Sequence, residues 1–327
     1  MSDFKGLVKF PNLFVEGIDA KSWEELNTSL DKPLLNRPLI GSYPPGSTFK
    51  PYMAMAALNT GKRAANVVIQ DNLTYSFGGR TFGSPETDRA GPKDMRLAIV
   101  TSSNVYFYSL AVEMGVDLIH DQLEPFGFGR KTDIDVQGEV TGVLPSQEWK
   151  QSRFRKPEQQ KWYAGETISV GIGQGYNAYT PLQLAQAMAI LANNGVVYRP
   201  HVANYIENVQ TGERRQIEPQ PLRTLPLKPE HMEFIRSAMV GVNIAGTGAQ
   251  AFAGSGYTSG GKTGTAQVVG IKKGEKYIES RVAERYRDHA LFIAYAPAEK
   301  PKIALALIVE NAGFGAKAAA PIARLII

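Results

Sequence analysis

Tyr43-Pro44-Pro45-Gly46-Ser47-Thr48-Phe49-Lys50-Pro51 is the stretch on which the reading of this chain turns. Two prolines and a glycine break whatever precedes them. An apolar helical pattern then runs through Phe49, Met53, Ala56 and Ala57 to a stop at Gly61. Ser47 therefore falls in the first turn of a helix, with Lys50 three residues on, over the same face. That spacing places an amine within reach of a hydroxyl. A serine hydroxyl is a poor nucleophile until a neighbouring base takes its proton. Lys50 can be that base only as a neutral amine, which requires a pKa well below the ordinary ~10.4. Burial and a second cation nearby both push it that way. The free backbone N–H of Ser47 at a helix start also lies where an oxyanion would form. Pro51 lacks the N–H that would bond back to the Ser47 carbonyl, so the turn is expected to be irregular.

Spacing alone is weak evidence, because S-x-x-K begins at Ser2, Ser29, Ser47 and Ser259. Ser2 sits in a terminus, Ser29 lies among polar residues before Pro33, and Ser259 runs through glycines into Lys262. Only Ser47 opens an apolar helix.

Composition narrows the classes. A chain of 327 residues can bury a substantial core in one or two domains, and 43% hydrophobic with 20% charged residues is globular. The net charge of +5 suits a surface near anionic polymers or lipids and is too small and diffuse to indicate nucleic acid. Without cysteine there is neither disulfide nor thiolate metal site. His120, His201, His231 and His289 show no ligand spacing, so they read as structural. No run approaches the ~18 apolar residues of a membrane helix and no signal peptide opens the chain, so the sequence as given reads as a soluble piece.

Along the chain, residues 1–11 read as an extension and 12–327 as one catalytic unit. A capping-box pattern at Ser22 and Glu25 predicts a helix. Residues 78–93, rich in Gly, Pro and charge, read as an exposed loop. Asp94 caps a helix that Ser102-Ser103-Asn104 interrupts, and a second helical run ends at Gly115. Asp117 to Leu123 reads as another, and Pro145-Ser146 opens one more. Between Lys150 and Trp162, Lys150, Arg153, Arg155, Lys156 and Lys161 interleave with Phe154 and Trp162. A solvated loop is the plainer reading there, a contact surface the sharper one. Gly171-Ile172-Gly173-Gln174-Gly175 has no phosphate-loop lysine after it. Thr180-Pro181-Leu182-Gln183 starts a core helix ending at Asn193-Asn194-Gly195, and a hairpin is expected over Tyr205–Ile217 with its turn near Gly212. A helix from Pro229 follows. Strands at 261–269, 290–296 and 303–309, closely linked, point to antiparallel pairing, and residues 316–327 to a closing helix. The expected fold is α/β: an antiparallel sheet flanked by helices, with a largely helical lobe.

Two further short motifs stand out, Ser102-Ser103-Asn104 and Lys262-Thr263-Gly264-Thr265. Judged separately they are a helix cap and a charged edge strand. In order, S-x-x-K, S-x-N and K-T-G form the pattern of penicillin-binding proteins and serine β-lactamases. Gly165–Leu184 (G-E-T-I-S-V-G-I-G-Q-G-Y-N-A-Y-T-P-L-Q-L), Val282–Pro297 (V-A-E-R-Y-R-D-H-A-L-F-I-A-Y-A-P) and Tyr43–Pro51 resemble, more closely, the transpeptidase domains of class B penicillin-binding proteins 2, the elongation-specific enzymes of rod-shaped bacteria. The likeness covers residues 12–327. The membrane anchor and non-catalytic pedestal usual before such a domain are missing from the sequence, and residues 78–93 match nothing recognised.

The resemblance implies that Ser47 attacks the penultimate D-Ala carbonyl of a peptidoglycan stem peptide ending in D-Ala-D-Ala and that Lys50 accepts its proton. Ser102 would relay a proton to the leaving D-alanine, and Asn104 would orient Lys50 and the substrate amide. Lys262 would be the second cation, Thr263 and Thr265 would hold the terminal carboxylate, and the backbone N–H groups of Ser47 and Thr265 would form the oxyanion hole. Gly264, lacking Cβ, would let a substrate backbone lie along the strand. It further implies acylation by β-lactam antibiotics, no cofactor, the periplasmic face of the bacterial inner membrane, and, for a full-length form, a membrane glycosyltransferase and rod-shape scaffold proteins as partners. Two alternatives stand beside this reading: a hydrolase of the same fold (β-lactamase or D,D-carboxypeptidase), and a non-catalytic β-lactam sensor.

Overall fold

A computed structural model describes residues 17–84, 88–268 and 282–327. Helix α1 (Ala20–Thr28) is capped by Asp19, whose carboxylate accepts from the Ser22 N–H at 2.9 Å. The cap expected at Ser22 is therefore one turn late, since an extended aspartate just upstream supplies the acceptor. After a 3₁₀ turn over Gly46–Phe49, α2 (Lys50–Thr60) runs to a left-handed Gly61. The stretch read as a loop, 78–93, carries strands at 80–83 and 91–93 that pair with strands just upstream. β1 (Ile69–Asp71) pairs with β4 (Gly91–Lys93), and β2 (Thr74–Phe77) with β3 (Arg80–Gly83) around Gly78 and Gly79, both at positive φ. Thr74-Tyr75-Ser76-Phe77 alternates polar and aromatic residues and Gly78-Gly79 is a two-residue turn, so the β2–β3 hairpin had a local signal that the Gly, Pro and charge content of the stretch obscured, whereas β1 and β4 had none.

α3 (Met95–Val100), capped by Asp94, and α4 (Asn104–Met114), capped by Ser103, bracket the interruption read from sequence. α5 (Val116–Leu123), α6 (Gln147–Arg153), α7 (Ala164–Val170) and α8 (Pro181–Ala192) complete the helical lobe, α8 with the expected Thr180/Gln183 capping box. β5 (Val196–Tyr198) pairs with β8 (Pro221–Thr224), and the hairpin β6 (Tyr205–Glu207) with β7 (Arg214–Gln216) turns at Gly212. α9 (Pro229–Ala245) leads to the main sheet. That sheet has β9 (Gly260–Ala266), β10 (His289–Ala296) and β11 (Ile303–Val309) in the order β11-β10-β9, all antiparallel, and α10 (Gly315–Ile326) closes the chain.

Alternation along β10 assigns its two faces. Leu291, Ile293 and Tyr295 join the large core with α2, α4, α8 and α9, while Ala290, Phe292 and Ala294 pack with Ala319, Ala320 and Ala323 of α10. Burying each large side chain contributes ~1.5–3 kcal/mol, so both faces hold β10 rigidly. Among the described residues β9 pairs on one side only, and the Ser47 turn packs against its other edge. A Cβ on Gly264 would come within 2.7 Å of Thr48 Cγ2, and one on Gly46 within 2.4 Å of the Thr265 carbonyl oxygen. Among the described residues no helix is long and apolar enough to cross a membrane.

Candidate active site

The nucleophile turn is tighter than the helix expected from sequence. Pro51 cannot donate to the Ser47 carbonyl, and the Lys50 N–H takes that oxygen instead, making a 3₁₀ turn. In 3₁₀ geometry residues three apart eclipse one another, which aligns Ser47 and Lys50 more directly than an α-helix would. Ser47 is half-buried, whereas Gly46, Thr48, Phe49 and Lys50 are buried, so the hydroxyl is the group the turn presents outward. Gly46, at φ 53°, donates its N–H to the Gly173 carbonyl at 2.9 Å, and Gln174 Nε2 donates to the Thr265 carbonyl at 3.0 Å. The glycine-rich stretch at 171–175 is thus a brace for the site. In a strand, one residue's N–H and C=O point to the same edge. With its carbonyl met by Gln174 on the free edge, Thr265 also aims its N–H toward the Ser47 turn.

The second motif meets the first through the Lys50 amine. Lys50 Nζ donates to the Ser102 carbonyl and to Asn104 Oδ1, both at 2.6 Å, with Ser102 Oγ at 3.3 Å. Ser102 holds φ 62°, unusual for a residue with a side chain, and this turns its carbonyl and its hydroxyl to the same amine. A neutral amine has two N–H bonds. The two short contacts use both, leaving the lone pair for another hydroxyl. Lys262 Nζ donates to the same Ser102 Oγ at 2.8 Å and to the Thr263 carbonyl at 3.2 Å. One hydroxyl thus links two amines.

Electrostatics favour the uncharged base. Burial, first, and then the Lys93 charge hold the Lys50 ammonium down to about 7, against the opposing pull of Asp88 and Asp71. Lys262 is likewise pushed well below the usual lysine range, by burial and then by Lys50, with Asp88 opposing. Desolvation therefore leads, and the mutual repulsion expected of a second cation falls on Lys262. On β9, Thr263 shares a 2.7 Å hydrogen bond with Thr247, and Thr265 is half-buried beside the cleft edge.

Every residue singled out from sequence thus belongs to one cluster: Ser47, Lys50, Ser102, Asn104, Lys262, Thr263, Gly264 and Thr265. Sequence reasoning missed Asp71, Asp88, Lys93, Thr247 and Gln174, whose placement depends on long-range packing. Burial raises the Asp88 carboxyl. Gln174 alone left a trace, as the one polar side chain among the glycines at 171–175. The basic stretch corrects differently. Lys150 is buried, its Nζ 2.6 Å from both Glu166 oxygens and facing the rings of Trp162, Tyr163 and Tyr176, so it is no solvated residue.

A half-open serine backed by an amine with a free lone pair, in a cleft edged by a strand, suits acyl transfer through a serine ester. The chain belongs to the penicillin-binding protein transpeptidase family: the family described as "Penicillin binding protein transpeptidase domain" matches residues 11–327. It is 40% identical over 324 residues to the peptidoglycan D,D-transpeptidase MrdA of Haemophilus influenzae, covering 96% of this chain and 48% of that protein. To the MrdA of Acinetobacter baumannii it is 42% identical over 311 residues, covering 94% and 45%. The chain spans about half the length of these curated relatives. Among solved structures, Pseudomonas aeruginosa PBP2 in complex with WCK 5153 superposes with a TM-score of 0.81 at 39% identity, covering 97% of this chain and 65% of that one. PBP2 from Helicobacter pylori in complex with MreC gives a TM-score of 0.80 at 29% identity, covering 96% and 54%. These likenesses bear out the fold class and the family read from the motifs.

Proposed function

We propose that this chain is a peptidoglycan D,D-transpeptidase domain that works through an acyl-enzyme on Ser47 and is acylated there by β-lactams. The observation that carries the reading is the Lys50 amine: buried, its ammonium held down to about 7, and hydrogen-bonded at 2.6 Å to both the Ser102 carbonyl and Asn104 Oδ1. Ser47 Oγ attacks the penultimate D-Ala carbonyl carbon of a stem peptide as its proton passes to Lys50 Nζ. Backbone N–H groups of Ser47 and Thr265 hold the oxyanion, where one such donor is worth about 3–4 kcal/mol. Collapse breaks the peptide bond, and the departing D-alanine amine takes the proton from Lys50 by way of the Ser102 hydroxyl. Thr263, Thr265 and the Lys262 cation hold the terminal carboxylate, and Gly264 leaves room for the substrate backbone. An amine from a neighbouring stem peptide then attacks the ester, and its proton returns to Ser47 by the same groups, leaving a cross-link.

The setting follows from the relatives. The H. pylori PBP2–MreC complex, and a peptidoglycan synthase complex that coordinates polymerization and crosslinking and superposes with a TM-score of 0.80 at 28% identity, support a scaffold protein and a membrane glycosyltransferase as partners of a full-length form. Its place at the periplasmic face of the inner membrane rests on the family resemblance alone. The test is intact-mass spectrometry of the chain with a penicillin, followed over hours. One persistent penicilloyl equivalent is expected, because Glu166 is bound to Lys150, Tyr176 and the Tyr163 N–H and is not available to activate water. Absent general-base help of 10²–10⁴ corresponds to roughly 3–5 kcal/mol on deacylation. Turnover of many penicillins per minute without an accumulating adduct would make the chain a hydrolase instead.

A further inference from the structure

The middle residue of the Ser102-Ser103-Asn104 motif has no part in the chemistry above, yet it is wholly buried and its hydroxyl is committed twice. Ser103 Oγ accepts from the Tyr106 N–H at 3.2 Å, capping α4, and donates to Asp71 Oδ2 at 2.5 Å. Asp71 has no solvent exposure, and its other oxygen accepts from the Leu73 N–H at 2.8 Å. Lys93, 4% exposed, lies on the paired strand with Nζ 3.8 Å from Asp71 Oδ2 and donates to Thr101 Oγ1 at 3.2 Å. Thr101 in turn donates to the Leu97 carbonyl at 2.8 Å. The β1–β4 ribbon thus grips the strained 101–104 turn at two points, through the side chains on either side of Ser102.

We propose that the buried Asp71–Lys93 pair is a positioning device for the reaction, holding Ser102 and Asn104 against the Lys50 amine through Ser103 and Thr101. The inference rests on the acyl-transfer reading above. A buried carboxylate is costly unless paired and hydrogen-bonded, and this one meets a cation, a hydroxyl and a backbone N–H, a fully satisfied set directly behind the turn. Position matters here because Lys50 gives both its N–H bonds to that turn. Displacing the turn would free the two N–H bonds that fix how the Lys50 amine is turned.

The pair also supplies charge. The groups facing Lys50 are Lys262 from β9, Asp88 from the segment before β4, Asp71 from β1 and Lys93 from β4, with the Tyr108 phenol of α4 beside Asp88 and Asn104. Asp71 favours the Lys50 ammonium and Lys93 opposes it, so removing one or the other moves the base in opposite directions.

The test is the acylation rate of the chain with a fluorescent penicillin from pH 5.5 to 9, with thermal unfolding recorded for each variant. Wild-type labelling checks the acyl-transfer reading independently, and the variants check this one. Ser103→Ala is expected to lower the rate about ten- to a hundredfold at every pH with its midpoint unmoved, the result of a displaced turn. Asp71→Asn, which keeps the acceptor for the Leu73 N–H and sets an amide N–H against Ser103 Oγ, is expected to move the midpoint to lower pH, and Lys93→Met to higher pH, each by roughly half a unit or more. Should Asp71→Asn fail to fold, Lys93→Met and Ser103→Ala decide the matter. A folded Ser103→Ala that acylates at the wild-type rate would overturn the proposal. So would midpoints that stay put, or that move the same way in the two charge variants.

Discussion

Two lysine sites in this molecule are almost equally dry and chemically opposite. Lys50 and Lys262 have no exposure, and the polar partners of their amines are one shared hydroxyl, an amide and two carbonyls. Lys150 is 3% exposed, but a carboxylate stands 2.6 Å away and three aromatic rings face its charge. Desolvation is offset at Lys150 by Glu166, whose own carboxyl its hydrogen bonds and that cation hold below the ordinary range. At Lys50 it is offset by giving up the proton. Burial therefore does not by itself make a base. Burial without a carboxylate in contact does. The distinction separates a lysine for chemistry from a lysine for structure, since Glu166 caps α7, the helix leading into the Gly173–Gln174 brace.

The largest break of this comparison is at the nucleophile. Ser47→Ala should abolish the penicillin adduct in intact-mass spectra, while Ser29→Ala and Ser259→Ala still label. An adduct surviving on Ser47→Ala would relocate the site. Next comes the base: Lys50→Ala should acylate 10²–10⁴-fold more slowly, the range of a lost general base. Lys150→Met, equally buried, should stay within about threefold of wild type, and stopped-flow labelling distinguishes the two.

Stability should respond with the opposite sign. The Lys50 ammonium titrates at about 7 in the folded chain and near 10.4 unfolded, so between these values the unfolded chain binds the extra proton. Stability is then lowest below pH 7 and recovers as pH rises through that window. Lys50→Met should accordingly stabilise the fold by about 1–4 kcal/mol at pH 6, with the gain fading toward pH 10. Lys150→Met leaves Glu166 without its cation and should cost about 1–3 kcal/mol. Urea unfolding at pH 6 and 9 reads both, and two shifts of equal sign would refute the distinction.

The smallest effect expected is in the position of the pH profile. Acylation by wild type should rise about tenfold per unit below pH 7 and level above it. Burial and the charges of Asp88, Asp71 and Lys93 set the Lys50 titration, so Lys262→Ala should lose rate at every pH while its midpoint stays near that of wild type. A midpoint moved to higher pH in that variant would show that Lys262 acts on Lys50 as a cation.

Much of this was legible in the residues. Pro51 announces the irregular turn because a missing N–H is a local fact, and Thr180, Asp94 and Ser146 announce their helices because caps are local too. The three motifs could be ordered along the chain and their chemistry named. The β2–β3 hairpin was legible in the alternation of Thr74-Tyr75-Ser76-Phe77 and in Gly78-Gly79, but the β1–β4 pairing and the burial of Lys150 gave no local sign, because both depend on what packs against them.

Sequence by itself determined which side chains were available: a serine, two lysines and a serine–asparagine turn, with the glycines that let backbone approach backbone at Gly46, Gly173 and Gly264. Only tertiary structure decided which lysine becomes a base. A pKa is set by dielectric and by charges several ångströms away, and at Lys50 those come from Asp71, Asp88 and Lys93, at positions 21 to 43 residues along the chain. Folding brings them near, and withholds from Lys50 the contacting carboxylate it gives to Lys150.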